Sequence, residues 1–399
     1  MRIDGRPMRT LWPAPDGAAV EAIDQTLLPH RLRIVRLATM PEIIEAINVL
    51  RVRGAPLIGG AAAYGLALAL RADPSDAALA QAYRQLLGAR PTAVNLRRAL
   101  DAVRAYVAPL AEPLRAQAGW ARAGAWCEAD VISCQRIGEA GYALIEAAHR
   151  ASGREVNILT HCNAGWLATI DWGTASAPIY LAHDRGIPVH VWVDETRPRN
   201  QGAMLTAYEL GQHGVPHTLI ADNAGGHLMQ HGRVDLCIVG ADRVSANGDA
   251  ANKIGTYLKA LAARDNGVSF YVAIPETTMD WTINDGLKDI PIEERDANEV
   301  THATGLSPAN EIVRVRISPS GTSAVNPAFD VTPAALITGF ITDRGVCAAN
   351  GQALAANFGE SYPADESYSA GKSYSVGKSS APAIRKREGS IGSPSTRTS

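Results

Sequence analysis

From residue 155 to about 275, short apolar runs alternate with stretches of helical spacing, and this alternation restricts the fold more than any other feature of the chain. The runs fall at 156–160, 189–193, 218–221, 236–239 and 269–273. Helical patterns fit between them at 174–186, 202–213, 223–232 and 251–264. Strands separated by helices cannot be hairpins. They form a parallel sheet covered on both faces, in a Rossmann-like arrangement. A later run, 312–317, is expected to add an edge strand.

The first part of the chain reads differently. After a short strand-like start, helical spacing appears at 41–50, 77–88, 95–110 and 113–124, and an Ala-rich helix at 128–150. Pro41 suits a first helical turn, and Asn95 is expected to be an N-cap. The expected class is therefore α/β: a small, mainly helical N-terminal domain at 1–125 and a Rossmann-like catalytic domain at 126–358. Residues 359–399 are rich in Ser, Gly and Lys and are expected to be disordered, because they cannot bury enough apolar surface to offset ordering entropy.

Composition excludes several classes. The 399 residues carry a net charge of -2 with both signs mixed, which argues against a nucleic-acid or membrane-surface partner. The apolar stretch 57–70 is too short to span a bilayer and reads as a buried helix. The opening residues 1–10 hold charge and no apolar h-region, unlike a signal peptide. The five cysteines are widely spaced without Cys-x-x-Cys, so a disulfide framework or zinc site is not expected, and reduced thiols in a cytoplasmic protein are.

Ligands of open parallel sheets bind beyond the carboxyl ends of the strands. Here those ends read His161-Cys162-Asn163-Ala164-Gly165, then Asp194 to Gly202, then Asp222 to Gly226, then Gly240-Ala241-Asp242-Arg243. Four polar, Gly-rich loops delivered to one edge point to an enzyme or a ligand-binding domain. No Gly-x-Gly-x-x-Gly follows a strand and no His-Glu-x-x-His occurs, so neither dinucleotide nor metal is indicated. That leaves proton transfer, covalent nucleophilic work or binding alone.

Cys162 is a candidate nucleophile or base, since a thiol at a helix start is acidified by the helix dipole; a buried core cysteine is the alternative. Asp242 follows an apolar strand, where burial keeps a carboxyl protonated; an N-cap or an ion pair with Arg243 are its alternatives. Arg51, Arg53 and Gly54 precede an apolar helix and form a candidate anion site, and Arg90 and Lys253, each near a helix start, are further phosphate candidates. A solvated surface charge is the alternative for each.

The sequences Arg53-Gly-Ala-Pro-Leu-Ile-Gly59, Thr160-His-Cys-Asn-Ala-Gly165, Val193 to Gly202, Val239-Gly-Ala-Asp-Arg243 and Asn247 to Thr256 together resemble the methylthioribose-1-phosphate isomerase family. The resemblance covers roughly residues 8–350 and extends to Ile290-Pro-Ile-Glu-Glu-Arg295 and Asn326 to Pro333. The family is shared with regulatory subunits of the translation-initiation nucleotide exchange factor. The resemblance implies a homodimer without metal or cofactor that acts on a small sugar phosphate. It places the catalytic pair on Cys162 and Asp242, and substrate contacts on Arg53, Gly54, Ala55, Arg90, Gln201, Asn252 and Lys253. It leaves as alternatives an isomerase of 5-deoxyribose 1-phosphate or another ribose 1-phosphate, and a non-catalytic regulatory relative. Trp166 and Ile170-Asp171-Trp172 stand where the family has smaller residues, and are expected to shape the part of the pocket that takes the 5-substituent.

Overall fold

The computed structural model describes residues 1–91 and 93–359. The expected tail lies, from residue 360 onward, outside the described residues.

The chain opens with two small antiparallel sheets, Arg2–Ile3 with Arg6–Pro7, and Leu11–Pro13, Val20–Ile23 and Ile34–Leu37. Helix Met40–Asn48 follows, started by a capping box in which Thr39 and Glu42 bond each other's backbone N–H groups, with Pro41 in its first turn. The apolar stretch becomes helix Ala55–Ala72, which has the length and hydropathy of a membrane span but is the buried centre of a helical core. Asp76–Ala89, Val94–Val107 and the first half of Glu112–Ser152 pack around it. Two expectations fail here. Asn95 lies inside the helix that Ala93 caps, and its Nδ2 donates to Thr277 Oγ1 (3.1 Å). The helices expected at 113–124 and 128–150 are one 41-residue helix running through position 125, ended by Gly153 in the left-handed region.

The main sheet has the strand order Gly345–Cys347, Gly339–Thr342, Ser269–Ile274, Leu236–Val239, Val156–Thr160, Val189–Asp194, His217–Ile220. All neighbours are parallel except the antiparallel edge strand Gly345–Cys347. Alternation along the strands feeds two cores. Ile158 and Ile238 join one with Trp166 and Tyr180, while Leu159, Cys237 and Val239 join the other with Phe270 and Phe340. The order reverses between Val156–Thr160 and Leu236–Val239, which makes that pair the switch point of the sheet.

Two further expectations are corrected. The segment 251–264 is not one helix: Ala250–Lys253 is a strand between Arg243–Ser245 and Phe329–Thr332, and the helix begins at Thr256. Nor does 312–317 edge the main sheet, because Ile312–Arg316 pairs with His302–Leu306 in a separate ribbon.

Candidate active site

Strands 156–160 and 236–239 flank the switch point, and their carboxyl ends supply Cys162 and Asp242 to one cleft. The same cleft is lined by Arg53, Gly54, Ala55, Arg90, Gln201, Asn252 and Lys253, so the structure brings all nine expected residues together. Their origins are scattered. Arg53 and Gly54 begin helix Ala55–Ala72, Arg90 ends helix Asp76–Ala89, and Asn252 and Lys253 lie on the strand Ala250–Lys253.

Cys162 is buried, with φ of 68°, a left-handed conformation rarely taken by a residue with a side chain. Two bonds hold the turn: Cys162 N–H donates to Thr196 Oγ1 (2.9 Å), and Thr206 Oγ1 donates to the Cys162 carbonyl (2.7 Å). The helix-dipole argument for this thiol does not survive, since the following segment forms only the 3-10 turn Trp166–Ala168. Burial pushes the thiol up, and the cations of Lys253 and Arg53 pull against it.

Asp242 caps no helix. It precedes the strand Arg243–Ser245, its N–H donates to the Ala251 carbonyl (2.9 Å), and Arg243 pairs instead with Asp280 (3.1 Å). Burial raises its carboxyl, opposed by Lys253, Arg53 and Arg90. Burial also lowers the Lys253 ammonium and the Arg53 guanidinium. Lys253 Nζ stands 4.5 Å from the centroid of the Phe329 ring, an apolar neighbour that contributes to this drying.

Several site residues escape a reading of the sequence alone. Arg199 and Arg295 line the cleft and share Glu299, at 2.7 and 2.8 Å. Arg295 and Arg90 share Glu293, each at 2.9 Å, so alternating charges run along one side of the opening. Asn163 receives the Arg53 guanidinium through its side-chain and backbone oxygens. Of the nine expected residues, Gln201 has its Oε1 buried with no partner among the described residues, which leaves an acceptor for a bound hydroxyl.

His161, Asp194 and Asp222 place possible metal-ligand atoms within 4.8 Å of one another. A cation of the protein already holds this place. Lys259 Nζ lies 3.1 Å from Asp194 Oδ2 and donates to the Asp222 carbonyl. The His161 ring nitrogens face Asp194 Oδ2 and the Ile254 carbonyl, both at 2.8 Å, tying the Cys162 loop to the segment after Lys253.

Trp166 and Trp172 do not shape the cleft. Trp166 is fully buried in the core beside Tyr180, and Trp172 packs against the helical core.

A switch-point cleft that holds a dry thiol, a raised carboxyl and several cations has the equipment for acid/base chemistry on an anionic substrate. Comparison with known proteins agrees. The model of the initiation factor 2 subunit family matches residues 51–349. A methylthioribose-1-phosphate isomerase of Methylocella silvestris is 59% identical over 90% of this chain and 99% of its own. The crystal structure of 5-methylthioribose 1-phosphate isomerase from Pyrococcus horikoshii is 38% identical, with a TM-score of 0.77 over 89% of this chain and 97% of that one. The structure of translation initiation factor eIF-2B, subunit delta, from A. fulgidus is 34% identical, with a TM-score of 0.72 over 88% and 99%. The chain belongs to the initiation factor 2 subunit family and, within it, to the methylthioribose-1-phosphate isomerases.

Proposed function

We propose that this protein isomerises 5-methylthioribose 1-phosphate to 5-methylthioribulose 1-phosphate, the conversion that serves methionine salvage. One observation carries the reading: Cys162 and Asp242 stand at the ends of the two switch-point strands and face one cleft with Arg53, Arg90 and Lys253. Relatives 59% identical over 90% of the chain bear the isomerase name, which supports the reading.

The phosphate at C1 locks the sugar ring, so a free aldehyde is not available to start the reaction. In the mechanism we favour, protonated Asp242 gives its proton to the ring oxygen as the C1–O bond breaks. Cys162 as thiolate takes the proton from C2, leaving an enol phosphate. The Cys162 proton then returns at C1 while the Asp242 carboxylate takes the proton from O2, so both groups end as they began. Burial of Asp242 suits its acid role, and the cations beside Cys162 favour the thiolate as the substrate shuts out water. Arg53, Arg90 and Lys253 hold the phosphate, and Gln201 and Asn252 meet sugar hydroxyls. In this reading 1–125 is a helical domain beside a catalytic domain at 126–358, and the protein is a cytoplasmic homodimer.

Turnover of 5-methylthioribose 1-phosphate beside 5-deoxyribose 1-phosphate tests the function, and the faster one identifies the substrate. If neither turns over, the protein acts on another ribose 1-phosphate or is a binding relative. Running the reaction in deuterated water tests the route: label at C1 supports proton transfer, and its complete absence supports a hydride shift.

A further inference from the structure

The loop after Cys162 is folded around a buried carboxylate from another element. Glu209, on helix Ala207–His213 after the π-helical turn Gly202–Thr206, is fully buried beneath it. Its Oε2 accepts from Leu167 N–H (3.1 Å), and its Oε1 accepts from Asn163 Nδ2 (3.1 Å) and Ser176 Oγ (3.3 Å). A β-carbon on Gly165 would stand 1.3 Å from Oε1, so the glycine of the Cys-Asn-Ala-Gly turn is required by this carboxylate.

The consequence reaches the cleft through Asn163. An amide has one accepting and one donating end. Here Nδ2 points to Glu209 and to Thr206 Oγ1 (3.2 Å), which leaves Oδ1 for the Arg53 guanidinium. Arg53 is a pure donor and lines the cleft. If the amide turned over, a donor would face the guanidinium.

We propose that Glu209 is a positioning residue for the isomerisation: its carboxylate fixes the Asn163 amide so that the amide oxygen holds Arg53 in the phosphate-binding position. Glu209 touches no substrate and acts through Asn163. The proposal rests on the isomerase reading for the identity of the substrate, but not for the geometry. Burial outweighs the pull of its donors and of Arg53 and leaves the Glu209 carboxyl raised to about 7; its accepting role is read from the geometry, in which both oxygens receive N–H or O–H donors.

The test exchanges the amide and the carboxylate. Glu209→Gln brings an NH2 toward Asn163 Nδ2, so the Asn163 amide flips and Arg53 loses its side-chain acceptor, keeping only the Asn163 carbonyl. KM for the sugar phosphate, and the inhibition constant for inorganic phosphate, should rise at least about tenfold, the size of one lost charge-assisted hydrogen bond, with kcat changed less. Adding Asn163→Asp restores the match to residue 209 and to Arg53, since the new amide at 209 donates to the new carboxylate at 163, which accepts from Arg53 on its other side; only the bond from position 163 to Thr206 Oγ1 is lost. The double variant should recover KM to within about threefold of wild type, because the paired changes offset each other in a double-mutant cycle. A role in packing alone does not predict this rescue. The idea is overturned if folded Glu209→Gln keeps the wild-type KM, or if the double variant does not recover it. Should the single variant not fold, the double variant decides: folding with near-normal phosphate affinity supports the proposal, and failure of either rejects it. A wild type that turns over neither sugar phosphate would defeat the isomerase reading instead, and phosphate affinity, read by thermal shift, would still test Glu209.

Discussion

Gly54 presses its α-carbon against the main chain of Ala168: a β-carbon there would stand 2.4 Å from the Ala168 carbonyl oxygen, and its φ of 97° disfavours any side chain. This contact joins the start of helix Ala55–Ala72 to the loop that carries Cys162. Gly54→Ala should therefore cost stability, on the order of 1–3 kcal/mol for a strained backbone site, and should raise KM by moving Arg53. Urea unfolding together with steady-state kinetics checks both. Unchanged values in both would refute the contact's importance.

Cys162→Ser and Asp242→Asn should each lower kcat by roughly 100- to 10,000-fold, the range for removing a positioned acid or base. Substrate affinity should fall much less, because the phosphate is held elsewhere. Binding titration and single-turnover kinetics separate the two effects. A variant that retains most of its kcat loses its catalytic assignment.

The pH profile follows from the directions in which the site moves its two groups. Burial raises both Cys162 and Asp242, and Lys253 lowers both. The active form needs Cys162 deprotonated and Asp242 protonated, so kcat/KM should be bell-shaped. Removing the ammonium by Lys253→Met removes a lowering influence, so both limbs should move to higher pH. A profile that stays in place would contradict this coupling.

Arg295 and Arg199 hold the Glu299 carboxyl down at about 2, from an ordinary 4.5. A lowered carboxyl stabilises the fold above its unfolded value, and that stability is lost as pH falls through the folded value. Glu299→Gln should cost on the order of 2 kcal/mol near neutral pH, since a tenfold change in an ionisation equilibrium is worth about 1.4 kcal/mol and solvent screens part of the effect. The gap between variant and wild type should close between about pH 4.5 and 2. Thermal melts across that range measure it, and a gap independent of pH would exclude the ion pair as its source.

Trp172→Phe should leave the ratio of activity on the methylthio and deoxy sugars unchanged, since this ring packs against the helical core. A changed ratio in paired assays would return Trp172 to the specificity pocket.

Much of the site is legible because strand ends announce themselves. The apolar runs 156–160 and 236–239 stop abruptly at polar, Gly-rich sequence, and the switch-point rule turns those stops into a location. The strand Ala250–Lys253 is not legible. Ala-Ala-Asn-Lys has helical composition, and only pairing with Arg243–Ser245 and Phe329–Thr332 makes it extended. The ribbon strand Ile312–Arg316 reads as a strand but cannot be placed from sequence, because its partner at 302–306 includes Gly and polar residues and lacks a clear strand pattern. Asn95 has the chemistry of a cap, yet the helix starts one residue earlier and the side chain serves Thr277. Glu209 leaves one faint trace, a charged residue just before Leu210 in an otherwise apolar segment. Nothing in its spacing reveals that it lies under Gly165.

The interleaved strand order also fixes a timetable. Cys162 leaves the ribosome well before Asp242, and the strand that bears Lys253 pairs with Phe329–Thr332, made later still. A nascent chain therefore carries the Cys162 thiol with no finished pocket around it until the strand Phe329–Thr332 has been made, and the enzyme's chemistry begins only once that late strand has been threaded into place.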